Sequence, residues 1–165
     1  MIFITENKNV KYIKKLNKDL LNHFSIYDLK ALSFTELKNA NEITSFVNNC
    51  INLSNKEYSI DNIRDKIVNN GYLAYIYYKN NEPLGFLIAY ITKENSLKSI
   101  KINDLGILKQ YQNKKIELKF IQNILLKAFN SRKVDQAIIN FNYQNDNMKK
   151  IMKELNFDKA LEREE

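Results

Sequence analysis

The sequence predicts a single α+β domain in which a mixed, mostly antiparallel sheet is flanked by helices. Apolar residues recur every three or four positions in the first 70 residues and again over 115–130, whereas β-branched and aromatic residues dominate 72–108. The resulting order of elements fits neither a regular α/β alternation nor a sandwich. A length of 165 residues, 44% of them hydrophobic, is enough to form one core.

The first predicted element is an amphipathic helix over residues 9–24, "NVKYIKKLNKDLLNHF", because its apolar residues are three or four positions apart. We expect this helix to form an N-terminal extension, residues 1–28, that packs on the domain or on a second copy of the chain in a homodimer. The domain proper is predicted to cover residues 29–165. It begins with a short strand at 29–37, where apolar and polar residues alternate.

Two more helices are predicted before the sheet. The first covers residues 39–53, with an asparagine as its cap and an apolar face on which Cys50 serves core packing. The second covers residues 60–70, with Ser59 as its N-cap and Gly71 in the usual position after a helix.

Three consecutive strands follow, at residues 72–79, 83–92 and 96–108, and polar turns separate them. Their spacing predicts a hairpin extended by a third strand. A helix at 115–130 then leads to a strand at 136–143.

A helix of this length between two strands is the usual connection between parallel neighbours. We therefore predict that the strands at 100–108 and 136–142 lie side by side and diverge toward their C-terminal ends, next to Asn145. A last short helix covers residues 145–157.

Composition indicates the cellular compartment more clearly than it indicates the activity. The net charge is +7, from 26 Lys and Arg against 19 Asp and Glu, so the surface is either simply solvated or attracts an anionic partner. A single cysteine cannot form an internal disulfide, and neither a signal peptide nor an apolar stretch long enough for a membrane span is present. We expect a cytoplasmic protein that does not bind membranes.

Several chemistries are disfavoured by the residues available. His23 is the only histidine, so neither a zinc site nor a histidine-activated nucleophile is expected, and no metal is predicted. A Walker loop and a GxGxxG motif are also missing.

Two segments carry a more specific pattern. The first is Asp104-Leu105-Gly106-Ile107, followed by Gln112-Asn113-Lys114-Lys115-Ile116-Glu117; the second is Asn145, followed in register by Met148, Ile151, Met152, Lys153, Glu154, Leu155, Asn156 and Phe157. In these segments, and in the order of elements over residues 29–160, the chain resembles the GNAT superfamily of N-acetyltransferases. That family has a D-L-x-V strand, a Q/R-x-x-G-x-G/A loop entering a helix, and later an asparagine and A-x-x-L-Y-E-K-L-G-F.

The resemblance implies that acetyl-CoA is the co-substrate, with its pyrophosphate against the backbone N–H groups of the loop and of the following helix. It also implies that the two central strands splay, and that the pantetheine arm pairs with the exposed strand edge as an additional strand would. The residues it assigns to the coenzyme are Ile107, Leu108, Gln112, Asn113, Lys114, Lys115, Ile116, Glu117 and Asn145.

In this family a base deprotonates the incoming amine and an acid reprotonates the departing thiolate. The resemblance places Asp104 in the position of the base; the alternative is a carboxylate that is hydrogen-bonded to neighbouring backbone. Met152 stands where a tyrosine often serves as the acid, so Tyr143 is the candidate acid, with a packing role as its alternative.

The loop departs from the family pattern because Lys115 and Glu117 replace its small residues. A carboxylate ~5 Å from one phosphate charge, at an effective dielectric constant near 20, is repulsive by ~3 kcal/mol. This predicts weakened binding of acetyl-CoA. Alternatively, Glu117 occupies the anion site itself, since a carboxylate is favourable at a helix N-terminus.

Three functions remain open from the sequence. The first is an N-acetyltransferase that moves an acetyl group from acetyl-CoA to an amine of a small molecule or a protein. The second is a GNAT-fold binding or regulatory module without catalysis. The third, a basic protein that binds RNA or another anionic partner, is the least favoured because the basic residues are scattered.

Overall fold

The computed structural model describes residues 9–17, 29–32, 40–54, 57–66, 71–79, 81–112 and 116–160. Their strands are β1 (Asn9–Lys15), β2 (Leu29–Leu32), β3 (Cys50–Asn52), β4 (Leu73–Lys79), β5 (Glu82–Glu94), β6 (Leu97–Leu108), β7 (Gln136–Asn142) and β8 (Asp158–Lys159). Their helices are α1 (Ala40–Asn49), α2 (Ile60–Arg64), α3 (Ile116–Lys127, continued by a π-helical turn, Ala128–Arg132) and α4 (Asp146–Glu154), with a short 3-10 turn at Lys109–Tyr111.

The strands form one mixed sheet in the order β2-β4-β5-β6-β7-β1-β8, with β3 attached to β6. The β6–β7 pair is parallel, and the other pairs of this sheet are antiparallel. This confirms the predicted fold class, including the hairpin and the parallel pair connected by a helix.

The two parallel strands separate where the sequence predicts that they should. Residues 99–102 of β6 pair with 136–139 of β7, and the ladder stops there although β6 continues to Leu108 and β7 to Asn142. Just beyond this point β6 has a bulge at Asn103, since Ile88 pairs with Asp104 and Ala89 with Ile102. A bulge bends its strand, which helps β6 to leave its neighbour.

Each face of the sheet is covered by a pair of helices. Residues of α3 and α4, among them Phe120, Ile124 and Met152, are buried in the larger hydrophobic cluster. Residues of α1 and α2, among them Val47 and Ile63, belong to the smaller cluster on the other side of β4 and β5. Burial of both apolar faces is the main favourable contribution that holds these layers together.

The predicted N-terminal helix is wrong where the structure describes it. Residues 9–15 form β1, which pairs with β7 on one side and β8 on the other, so they belong to the sheet and not to an extension outside a domain at 29–165. The part of the prediction that covers residues 18–24 lies outside the described residues, as do 33–37 of the predicted first strand; residues 29–32 are the strand β2.

Side-chain burial explains this error. Val10 and Leu16 are buried, and Tyr12 between them stacks on Phe141 with ring centroids 5.2 Å apart, so the even positions face inward with the period of a strand. The helix was predicted from the three-residue steps Val10, Ile13 and Leu16, but the structure is a strand, in which Ile13 lies on the opposite, partly exposed face. Lys14, which is only 3% exposed, interrupts the apolar alternation that would have distinguished the two.

The second predicted helix ends earlier than expected. Asn49 is its last residue, and Cys50 lies in β3, where it pairs with Leu108 of β6. Cys50 is buried at 7% exposure, so its predicted role in packing is confirmed although its element is not. The third predicted helix has Ser59 as its N-cap, with the reciprocal hydrogen bonds of a capping box to Asn62.

Candidate functional site

A cavity of about 190 Å³ lies where β6 approaches the N-terminal ends of α3 and α4. Half of the side chains around it are apolar: Ile51, Leu53, Leu105, Ile107 and Met148. The others carry an amide or a carboxyl group: Asn52, Gln112, Glu117, Asn145 and Asn147. Four residues that the GNAT resemblance assigns to the coenzyme, Ile107, Gln112, Glu117 and Asn145, therefore line one cavity, although they come from two separate segments of the sequence.

Asn145 is the N-cap of α4, and its Oδ1 accepts a hydrogen bond of 3.1 Å from the backbone N–H of Met148. Because the amide oxygen is engaged in the cap, the Nδ2 group is the part of this side chain that can donate to a ligand.

Glu117 is the second residue of α3, and its side chain is buried at 6% exposure. Burial raises the pKa of its carboxyl group, while a hydrogen bond from its own backbone N–H lowers that pKa by a smaller amount. The field of the helix N-terminus favours a negative charge here. Desolvation outweighs the backbone hydrogen bond, so the pKa of this carboxyl group lies above that of an exposed glutamate.

The edge of β6 beyond the bulge is covered by the chain itself. Cys50, Ile51 and Asn52 of β3 pair with Leu108, Ile107 and Gly106, and the N–H of Leu53 donates to the carbonyl of Leu105 over 2.9 Å. On its other edge the same part of β6 pairs with β5. Thus β3 occupies the edge that β7 leaves, where the GNAT resemblance implies an open edge for the pantetheine arm.

Asp104 lies beside this segment, and its carboxylate accepts four hydrogen bonds. Oδ2 accepts from the Oγ of Ser54 at 2.6 Å and from the phenol of Tyr58; Oδ1 accepts from the backbone N–H of Ser54 at 3.2 Å and of Leu105 at 2.9 Å. The side chain is 0% exposed. The structure thus shows the hydrogen-bonded carboxylate that was the alternative to a catalytic base, and it adds donors from side chains.

Sequence reasoning missed Ser54 and Tyr58. Nothing in the sequence links these positions to a carboxylate about fifty residues away, because only the folded sheet brings them together. Burial raises the pKa of the Tyr58 phenol, and the hydrogen bond to Asp104 raises it further, so Tyr58 is a neutral donor at physiological pH.

Of the described residues assigned to the site, Leu108, Ile116 and Tyr143 are not part of the cavity lining. Leu108 packs against the smaller hydrophobic cluster and Ile116 belongs to the larger one. Tyr143 is half-buried against the larger cluster, with the Nζ of Lys149 5.3 Å from its ring centroid. Asn113, Lys114 and Lys115 lie outside the described residues.

In the part of the chain that the structure describes, no group of three or more His, Cys, Asp and Glu residues is arranged to hold a metal ion. No helix in those same ranges is both long enough and apolar enough to cross a membrane.

Solved structures of several acetyltransferases resemble this chain. A GNAT-family structure from Novosphingobium aromaticivorans DSM 12444 superposes with a TM-score of 0.59 and 8% identity over 92% of this chain, which spans 59% of that one. Ribosomal-protein-alanine N-acetyltransferase from Brucella melitensis biovar Abortus 2308 has a TM-score of 0.61 and 15% identity over 84% of this chain and 96% of its own. The NatC complex bound to Gag peptide and CoA gives a TM-score of 0.61 and 16% identity over 79% of this chain and 84% of that chain.

No protein-family model matches the sequence, and no curated protein matches it either. The structural likeness and the mixed sheet with its parallel pair define the fold: the chain has the fold of the GNAT superfamily. At identities of 8–16% this likeness concerns the fold and leaves the chemistry to the residues of the site.

Proposed function

We propose that the protein binds acetyl-CoA in the cavity between β6, α3 and α4 and transfers its acetyl group to an amine. The observation that carries this proposal is the cavity itself, which lies at the N-terminus of α3 and is lined by Ile107, Gln112 and Asn145. A helix N-terminus offers unpaired N–H groups to phosphates, and the amides of Gln112 and Asn145 add donors.

The site fits the coenzyme with one exception. Apolar side chains on β6 and α4 suit the pantetheine arm, and the polar half of the lining suits phosphates and amides. A volume of about 190 Å³ is below the usual size of a complete ligand site, so the cavity holds part of the coenzyme. The exception is Glu117, because its carboxylate repels phosphate when it is ionised.

Bound acetyl-CoA would supply an activated thioester carbonyl. Within the chain, we assign Gln112 and Asn145 to holding the coenzyme. Met152, at the family's tyrosine position, is a buried thioether, so Tyr143 stays the candidate acid for the leaving thiolate on the resemblance alone, from outside the cavity lining. Both carboxylate oxygens of Asp104 already accept hydrogen bonds from the protein. We therefore regard Asp104 chiefly as a positioning residue.

A GNAT-fold module without catalysis is the second candidate. Two observations favour it: the carboxylate of Asp104 is already engaged by the protein, and β3 covers the edge of β6. On this alternative the cavity binds a ligand or none, and no acetyl group is transferred.

Calorimetric titration with acetyl-CoA, followed by mass spectrometry of an amine panel incubated with protein and acetyl-CoA, separates the two candidates. Glu117→Gly should tighten acetyl-CoA binding by about tenfold, and the gain should shrink with added salt because it is a charge effect. Glu154→Gly serves as the control, since Glu154 is an exposed carboxylate outside the cavity lining. If neither the wild type nor Glu117→Gly binds at millimolar acetyl-CoA, the proposed function is wrong.

A further inference from the structure

The segment Cys50–Ser54 is in an unusual position. It forms a three-residue strand on the edge of β6 that opens once β7 has separated, and it lines the same cavity through Ile51, Asn52 and Leu53. A ligand that pairs with this edge of β6 would therefore have to replace the segment.

Two kinds of bond hold the segment in place. The first is the short ladder to β6, which ends with the hydrogen bond from the N–H of Leu53 to the carbonyl of Leu105. The second is Ser54, which donates to Asp104 from both its backbone N–H and its Oγ. Asp104 thereby fastens the end of the segment to the strand that the segment covers.

Burial resists displacement at the two ends of the segment, where Cys50 is 7% exposed and Leu53 packs on the larger cluster, but not in its middle. Ile51 is 49% exposed, so its removal from β6 would uncover little apolar surface. Its backbone hydrogen bonds can be replaced by any ligand that carries amide groups in an extended chain, because such a chain can add to an open sheet edge.

We propose that Cys50–Ser54 is an internal plug, a segment that competes with the amide-containing arm of the coenzyme for the edge of β6. The hydrogen bonds from Ser54 to Asp104 hold this plug on β6. This inference rests on the proposed function, since it concerns how acetyl-CoA gains access to the same cavity. Binding then requires the plug to leave β6, and the apparent affinity is reduced by the small fraction of molecules in which it has left.

The test uses the full chain and two serine variants. Ser54→Ala removes the Oγ donor to Asp104 and should increase the open fraction, and with it the affinity for acetyl-CoA, by about fivefold, the usual effect of one hydrogen bond. Ser59→Ala is the matched control, because Ser59 caps α2 nearby and its side chain bonds to Asn62 rather than to Asp104. The control should leave the affinity unchanged.

Hydrogen exchange provides a readout that a change in overall stability would not mimic. The amide of Leu53 donates to Leu105 in the closed form, so saturating acetyl-CoA should lower its protection while the amides of α1 keep theirs. Ligands normally raise protection, which makes a local loss specific to displacement of the plug.

The outcomes separate the two proposals. If acetyl-CoA binds, the Leu53 amide stays protected and Ser54→Ala binds no more tightly than Ser59→Ala, then the plug is wrong and the proposed function stands. If neither the wild type nor Ser54→Ala binds acetyl-CoA, the coenzyme site is wrong and the plug is rejected with it. Tighter binding by Ser54→Ala, together with loss of protection at Leu53, supports both.

Discussion

Asp104 and Glu117 are both buried carboxylates in the same part of the molecule, but they differ in their hydrogen-bond donors. Asp104, on β6, accepts four hydrogen bonds from Ser54, Tyr58 and Leu105. Glu117, on α3, lines a cavity and accepts a hydrogen bond from its own backbone N–H. Burial alone does not distinguish them, since their side chains are 0% and 6% exposed.

The hydrogen-bond partners therefore distinguish a structural carboxylate, Asp104, from one that is accessible to a ligand, Glu117. A buried carboxylate whose oxygens are filled by donors of the protein holds elements together, whereas one that faces a cavity can respond to a ligand or to pH. The sequence placed Asp104 as the base, with a hydrogen-bonded carboxylate as the alternative, and placed Glu117 in the coenzyme loop, either repelling phosphate or filling the anion site. The hydrogen bonds favour the alternative for Asp104, whereas Glu117 faces the cavity.

Removal of the Asp104 carboxylate should have the largest effect on stability. Asp104→Ala should lower the free energy of unfolding by about 3 kcal/mol or more, because several buried donors each lose a partner at about 1–3 kcal/mol. Urea unfolding followed by circular dichroism measures this loss. Asp104→Asn, which keeps the shape and one acceptor oxygen, should lose less. If Asp104→Ala is as stable as the wild type, the network does not anchor this region.

Tyr58 contributes one donor to the same network, so its removal should have a smaller effect. Tyr58→Phe keeps the aromatic ring, which contacts Phe86 edge-on, and removes only the hydroxyl group. We expect a loss of about 1–2 kcal/mol of stability, typical of one hydrogen bond to a charged acceptor. Tyr78→Phe is the control for loss of a hydroxyl group, since Tyr78 is a half-buried tyrosine of β4, the strand beside β5.

Local patterns predicted most of this fold. The hairpin β4–β5, the strand β6 and the crossover through α3 follow from periodicities within single segments, and the cap at Ser59 follows from a serine placed directly before the helix. β1 was missed because Ile13 completes the three-residue steps of a helix between Val10 and Leu16, and because Lys14 lies on the buried face. Such ambiguity is resolved only by the strands on either side of β1, which are distant in sequence.

The site was predictable only as far as its motif extends. Gln112, Glu117 and Asn145 were assigned through the resemblance, and the structure brings them to one cavity. The pairing of β3 with β6 and the bonds from Ser54 and Tyr58 to Asp104 join residues about fifty positions apart. No periodicity encodes such contacts, so the covering of the β6 edge could not be foreseen.

The smallest expected effect concerns Glu117 and has the opposite sign to those at Asp104. Burial raises the pKa of Glu117 in the folded protein above its ordinary value, so this group contributes stability that is fully present below the unfolded pKa and is lost as the pH rises through the folded pKa.

Glu117→Gln keeps the shape and cannot ionise. It should therefore be more stable than the wild type at pH 7, and this advantage should vanish as the pH falls below the ordinary pKa of glutamate. Loss of the favourable interaction with the helix N-terminus opposes this gain. Urea unfolding of both proteins between pH 4 and pH 8 measures the difference. A variant that is less stable than the wild type at pH 7 would mean that Glu117 is satisfied as Asp104 is, and the contrast between the two carboxylates would be lost.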